Sequence, residues 1–335
     1  MKASGPEFLV LTGFLGSGKT TLLRHFLGRP EAADTAVIVN EVGEIGLDGA
    51  ILRESGSDAP MAMLSNGCIC CQAGSDLANT IDTLLGTQRP EAFGPLQRIV
   101  LETSGLSKPG PVLRQLAELA AHRLRVAVVA TFDAVRGTQA TAFEEAVSQW
   151  AAAHRIVITK TDVVSAERLA TATSEAAALN PLAEIVALAD RDAATAAAFA
   201  RLPRIATISD LPSVASGAVH PRVCVRLVRP TTVLSYDDLA TWLDNLAGAL
   251  GERLLRLKGV IRVAEYEQPL LVQSVGTLFS PPRRFMPGAA ESPFLLIIAR
   301  DLKTGELNAV SPTGRFQFPD RPSIGRSPAL KAEWV

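Results

Sequence analysis

The chain has 335 residues, 47% of them hydrophobic and 20% charged, a globular balance with apolar material for about two cores rather than a disordered composition. The formal net charge of −1 provides no global basic field for holding a nucleic-acid backbone. The N-terminus MKASGPEFLVLTGF does not read as a secretory leader, and no apolar run is long enough to span a bilayer. A cytoplasmic protein is expected, with neither nucleic acid nor membrane as a partner.

In chain order, Phe8–Thr12, Ala36–Asn40, Arg98–Glu102, Leu124–Thr131, Arg155–Thr159 and Glu184–Leu188 read as short apolar strands. Between them the 3.6-residue pattern predicts helices over Thr20–Leu27, Ser75–Leu85, Pro111–Ala121, Phe143–Ala152 and Ser165–Leu179, with another Ala-rich helical stretch at Ala193–Ala200. Continuously apolar strands alternating with helices imply an α/β domain with a parallel sheet covered on both faces.

The turn-forming composition of Ile208–Pro221 reads as a linker. Beyond it, Arg222–Leu227 alternates as a half-buried strand and Tyr236–Ala249 is an amphipathic helix. Leu254–Tyr266, Leu270–Phe279 and Pro293–Ile298 read as strands. The expected organisation is a nucleotide-binding domain over 1–207, a linker over 208–221, a smaller α+β domain over 222–311 and an extended tail over 312–335.

Gly13-Phe-Leu-Gly-Ser-Gly-Lys-Thr20 matches the P-loop pattern, placed after an apolar strand and before a helix as the motif requires. Its glycines let backbone N–H groups approach phosphate oxygens, and the helix N-terminus adds its positive end. Lys19 is expected on the β- and γ-phosphates and Thr20 on Mg²⁺. Glu102 ends a second apolar strand, where an acid holds Mg²⁺ through water or orients the attacking water. Thr159-Lys160-Thr161-Asp162 is close to the N-K-x-D pattern that reads guanine. There the Asp accepts from N1–H and the N2 amine, and the Lys stem packs over the base. Thr159 stands where that pattern has Asn, so one hydroxyl replaces a two-sided amide.

Three of the four cysteines, Cys68, Cys70 and Cys71, fall in Ser65-Asn-Gly-Cys-Ile-Cys-Cys71. Crowded soft sulfur ligands select Zn²⁺, Cu⁺ or an iron–sulfur cluster, with redox chemistry as the alternative. Three local thiolates fall one short of a closed structural zinc site, which suits exchange rather than permanent structure. A fourth ligand could come from Glu44, from water or from another protein. Cys224 belongs to the other expected domain, and the sequence gives no reason to bring it near.

Taken together, GFLGSGKTT at 13–21, NEVGEIGLDG at 40–49, SNGCICC at 65–71, ETSG at 102–105 and TKTD at 159–162 resemble the CobW-like metallochaperone GTPases. Leu254–Val260 and Val272–Gly276 resemble that family's C-terminal domain. The resemblance implies GTP hydrolysis linked to delivery of zinc, or a similar transition metal, to a client protein. By position it implies that Gly16, Ser17, Gly18, Lys19, Thr20 and Thr21 bind phosphates and Mg²⁺, and that Lys160 and Asp162 bind the base. Cys68, Cys70 and Cys71 would hold the metal with Glu44 as helper, while Glu41 and Asp48 lie in the first switch. Val39 stands where some relatives have a further acid. The histidines His25, His122, His154 and His220 form no cluster, so each reads as a packed or solvated residue. A metal-sensing GTPase switch that regulates partner binding, or a GTPase of cobalamin assembly, are the alternatives.

Overall fold

A computed structural model of the chain describes residues 5–40, 61–64, 75–87, 94–118, 122, 124–201, 222–284, 293–311 and 314–318. The chain divides into two compact units: Met1–Ala176 with Ala183–Arg201, and Ala177–Leu182 with Leu202–Val335.

The first unit is built on a parallel sheet. Its strands are β1 (Glu7–Gly13), β2 (Thr35–Asn40), β3 (Met61–Leu64), β4 (Arg98–Glu102), β5 (Arg125–Asp133), β6 (Arg155–Thr159) and β7 (Glu184–Val186). They lie in the order β3-β2-β4-β1-β5-β6-β7, and all neighbouring pairs are parallel. The helices are α1 (Lys19–Leu27), α2 (Ser75–Gly86), α3 (Pro109–Glu118), α4 (Glu144–Ala152), α5 (Ala166–Leu179) and α6 (Arg191–Phe199). This is the expected α/β architecture.

The central strands are apolar on both sides because both sides are covered. Leu9, Leu11, Val37, Val100, Val129 and Val157 share one core with Leu23, Phe26 and Phe199 of α1 and α6, whose two rings stack 4.0 Å apart. On the other face Phe132 packs 4.8 Å from the fully buried Trp150 of α4. Removing that indole would cost about 3–5 kcal/mol. At the strand starts, Arg98 bonds the buried Glu7 at 2.7 Å and its guanidinium lies over Phe26, so the pair is held from two sides.

The second unit carries an antiparallel sheet. Its elements are β8 (Val223–Pro230), α7 (Tyr236–Leu250), β9 (Leu254–Ile261), β10 (Leu270–Val275), β11 (Leu278–Phe279), β12 (Arg283–Arg284), β13 (Phe294–Arg300), α8 (Thr304–Val310) and β14 (Phe316–Gln317). The order is β11-β10-β9-β13-β8-β14, with β12 pairing β10. Ser235 caps α7 by accepting from the Asp238 amide at 3.1 Å, a contact worth about 1 kcal/mol. The apolar stripe Leu239, Trp242, Leu243, Leu246 and Leu250 faces Leu257, Ile261, Leu295 and Ile297 of the sheet.

Several boundaries differ from expectation. β9 stops at Ile261 rather than Tyr266, and the run read as one strand from Leu270 to Phe279 folds back at Gly276, whose φ is 57°. Met61–Leu64 and Thr304–Val310 are elements that periodicity did not predict. Phe316, expected in an extended tail, stacks on Trp242 at 4.4 Å, and its strand pairs β8.

Candidate nucleotide site

Because the strands of the first sheet are parallel, their C-terminal ends share one edge, which is where open α/β sheets bind ligands. Gly13 ends β1, Glu102 ends β4, Asp133 ends β5 and Thr159 ends β6. Leu11 pairs with Glu102, Gly13 with Thr131 and Asp133 with Thr159, so these groups form a row. Val39 pairs with Glu102 and Asn40 with Leu64. β2 and β3, the strands that precede Glu44 and the three cysteines in sequence, therefore end at the same edge.

The P-loop conformation follows from its glycines. At Gly13, φ is 146° and a Cβ would sit 2.0 Å from Thr131 Oγ1, so no side chain is accommodated. Ser17 is buried; its hydroxyl bonds the Phe14 carbonyl at 2.6 Å and lies 2.6 Å from the Thr131 hydroxyl. Lys19, also buried, folds back to donate to the Gly13 carbonyl at 2.9 Å, spanning the loop. Gly16 and Gly18 are left-handed, with φ of 70° and 91°. Thr21 is exposed on the first turn of α1.

Thr20 Oγ1 donates to Glu102 Oε1 at 2.6 Å, and Glu102 is 3% exposed. A hydroxyl and a buried carboxylate in contact form a hard-oxygen set that fits Mg²⁺. Beyond Glu102, Gln149 of α4 donates to the Gly105 and Ser107 carbonyls at 2.9 Å each, clamping the loop. A Cβ on Gly105 would meet the Leu15 amide and Cα at 2.8 and 2.9 Å.

The turn after β6 is organised by a residue that sequence reasoning missed. Asp133, 5% exposed, accepts from Lys160 Nζ at 2.6 Å, and its other oxygen takes the Val135 amide at 2.9 Å. Lys160 has φ 58°, a left-handed conformation that surrounding structure must over-determine. Thr159 Oγ1 donates to the Ser17 carbonyl at 2.8 Å and lies 3.2 Å from the Phe132 carbonyl. The hydroxyl therefore struts the turn against the P-loop. The available signal for Asp133 was an acid at the end of a buried strand, the same cue that selected Glu102.

A cavity of about 690 Å³ joins these parts, lined among others by Lys19, Thr20, Glu102, Lys160 and Asp162. Of the predicted residues, Gly16, Gly18, Lys19, Thr20, Thr21, Glu102, Lys160 and Asp162 all line it, and Ser17 and Gly13 shape the loop beneath. Glu44, Cys68, Cys70, Cys71, Glu41, Asp48 and His220 lie outside the described residues. Among the described residues, no group of three His, Cys, Asp or Glu side chains could hold a metal ion, and no helix is long and apolar enough to cross a membrane. His154 and His122 have structural partners, the Val128 amide at 3.1 Å and Asp82 at 2.6 Å. His25, by contrast, lines the cavity.

Comparison with known proteins agrees with this architecture. Residues 7–187 match the CobW/HypB/UreG nucleotide-binding domain, and residues 224–310 match the C-terminal domain of the cobalamin synthesis protein cobW. The chain is 32% identical over 290 residues to the zinc chaperone YjiA of Escherichia coli, covering 81% of this chain and 86% of that protein. It is 31% identical over 335 residues to the zinc chaperone CobW of Pseudomonas aeruginosa, covering 88% and 87%. The crystal structure of Zn(II)-bound YjiA GTPase from E. coli superposes with a TM-score of 0.62 at 22% identity, over 92% of this chain and 98% of that one, and so shares the fold. With a matched nucleotide-binding domain, a matched C-terminal domain and these relatives, the chain belongs to the CobW/HypB/UreG family.

Proposed function

We propose that the protein is a GTP-hydrolysing metallochaperone that carries zinc on Cys68, Cys70 and Cys71 and passes it to a client protein in a nucleotide-dependent cycle in the cytoplasm. The observation that carries this reading is the row of loops on one sheet edge. The P-loop, the Thr20–Glu102 pair and the Lys160–Asp162 turn line one cavity there. In sequence the switch acids follow Asn40 and the cysteines follow Leu64, and these two strand-end residues pair at the same edge. The names of the relatives, zinc chaperones in two bacteria, point the same way.

In this reading Lys19 leaves the Gly13 carbonyl for the β- and γ-phosphates, exchanging a neutral acceptor for a charged one. The amides of Gly16, Ser17 and Gly18 and the first turn of α1 receive the remaining phosphate oxygens. Thr20 and Glu102 would hold a Mg²⁺ ion. That ion would neutralise charge developing between the β- and γ-phosphates. Lys160, pinned by Asp133, lays its stem along the base, and Asp162 accepts from N1–H and the N2 amine. The acids Glu41, Glu44 and Asp48 form the stretch that answers the γ-phosphate, and Glu44 adds a ligand to the three thiolates. Residues 222–311 recognise the client.

The test is zinc analysis and GTPase rate of the wild type beside a Cys68/Cys70/Cys71→Ala triple variant, followed by zinc transfer to a chelator or apo-client under GTP and under a non-hydrolysable analogue. The expected result is stoichiometric zinc in the wild type only, with release that needs hydrolysable GTP. Equal zinc in both proteins removes the cargo site. Nucleotide-independent release removes the cycle.

A further inference from the structure

Asp162 has a cationic neighbour that its base-reading role must accommodate. Arg191, the first residue of α6, places Nη2 3.3 Å from Asp162 Oδ2 and Nη1 3.4 Å from His25 Nε2. All three residues line the cavity. The Arg191 and Asp162 side chains are each 59% exposed, so their ion pair contributes little to folding. Its placement on the cavity wall is better explained by what the cavity takes.

Guanine presents an acceptor, O6, beside two donors, N1–H and the N2 amine. Adenine presents a donor, the N6 amine, beside the acceptor N1. A carboxylate alone can read only the donor half of the guanine edge. The acceptor half needs an N–H group next to that carboxylate, and Arg is the side chain that most often donates to guanine O6. Thr159 cannot supply it, because its one proton is committed to backbone carbonyls of the P-loop and β5.

Resting on the guanine-nucleotide reading of this same cavity, we propose that Arg191 is a specificity-determining residue. Its guanidinium donates to guanine O6 while Asp162 accepts from N1–H and the N2 amine. The acid–base pair so formed complements guanine at both positions. Adenine is opposed at both, since its amine would face the cation and its N1 lone pair the carboxylate. The contact takes over part of the reading that the Asn-bearing pattern performs with an amide.

The test is calorimetric titration of the full-length protein with GDP, IDP and ADP in the presence of Mg²⁺, for the wild type, Arg191→Ala and Arg191→Lys. IDP keeps O6 and N1–H but lacks the N2 amine. In Arg191→Ala, GDP and IDP affinities are expected to fall together by about tenfold, as for one lost hydrogen bond to a charged group, while ADP does not weaken. Arg191→Lys keeps part of the GDP affinity, and the melting temperature of the apo-protein stays put. Four results overturn the assignment. GDP affinity within twofold of the wild type removes the contact. A loss for GDP with none for IDP means that Arg191 acts through Asp162 on the N2 amine. An equal loss for all three nucleotides means a damaged pocket rather than a lost reader. A wild type that binds ADP as tightly as GDP defeats the guanine reading itself, and Arg191 with it.

Discussion

At the scale of single residues, the second unit contains a partly buried cation with a second cation beside it. Lys258 of β9 sits in register with Leu296 of β13, and Arg256, two residues away on the same face, pairs with Ile298. Burial pushes the Lys258 ammonium down to about 8, and the charge of Arg256 adds to the push. Above pH 8 the folded chain releases this proton, whereas an unfolded Lys keeps it until about 10.5. The unfolded state thus binds more protons in that window, and stability contributed by this site rises with pH from about 8 to 10.5. Lys258→Met is expected to be more stable than the wild type at pH 7, by up to about 3 kcal/mol. That advantage should shrink steadily as urea midpoints are measured from pH 8 to pH 10.5. A constant difference across the window would show that the ammonium is solvated.

The residues that set up the nucleotide cavity differ in how visible they were in the sequence. Lys19, Thr20, Glu102, Lys160 and Asp162 were legible because each sits in a short motif whose spacing encodes a turn. Asp133 and Arg191 were not, because their partners lie 27 and 29 residues away and only the sheet brings them together. Thr159 read as a weakened Asn; the fold gives its hydroxyl a bracing role that composition could not reveal.

At the scale of elements, the loop after β4 and the P-loop behave as one object. Gln149 holds the first by two carbonyls, and Gly105 lets the second press against it. Gly105→Ala would drive a methyl group into the Leu15 backbone, so the P-loop must shift, at a cost on the order of 1–3 kcal/mol. GTP affinity is expected to fall at least tenfold, with a change of only a few degrees in melting temperature. Unchanged affinity would show that the two backbones part without consequence. The elements themselves were mostly readable, since buried parallel strands leave long apolar runs. Met61–Leu64 escaped because its four residues, Met-Ala-Met-Leu, favour helix and become a strand only through pairing with β2. Thr304–Val310 is barely two turns, too short for periodicity to register.

At the scale of the whole molecule, a chaperone cycle demands that nucleotide and metal feel one another. Binding free energies obey reciprocity: if GTP changes zinc affinity by some factor, zinc changes GTP affinity by the same factor. Zinc affinity measured with GDP and with a non-hydrolysable GTP analogue is expected to differ about tenfold or more, which corresponds to about 1.4 kcal/mol of coupling. Titrations of the analogue and of GDP, each with and without zinc, must return the same ratio. A ratio of one in either direction would leave two independent sites on one sheet.

The tight seat of Gly105 bears on how such coupling is transmitted. Two loops with a gap between them would take up a small displacement as slack, as worn gears do. Here the backbone of one rests on the Cα of the other with no space for a methyl group. A shift of a few tenths of an ångström at the phosphates therefore meets no slack on its way to the end of β4, where the register places Glu102 beside Val39 of β2, the strand that precedes Glu44 in sequence.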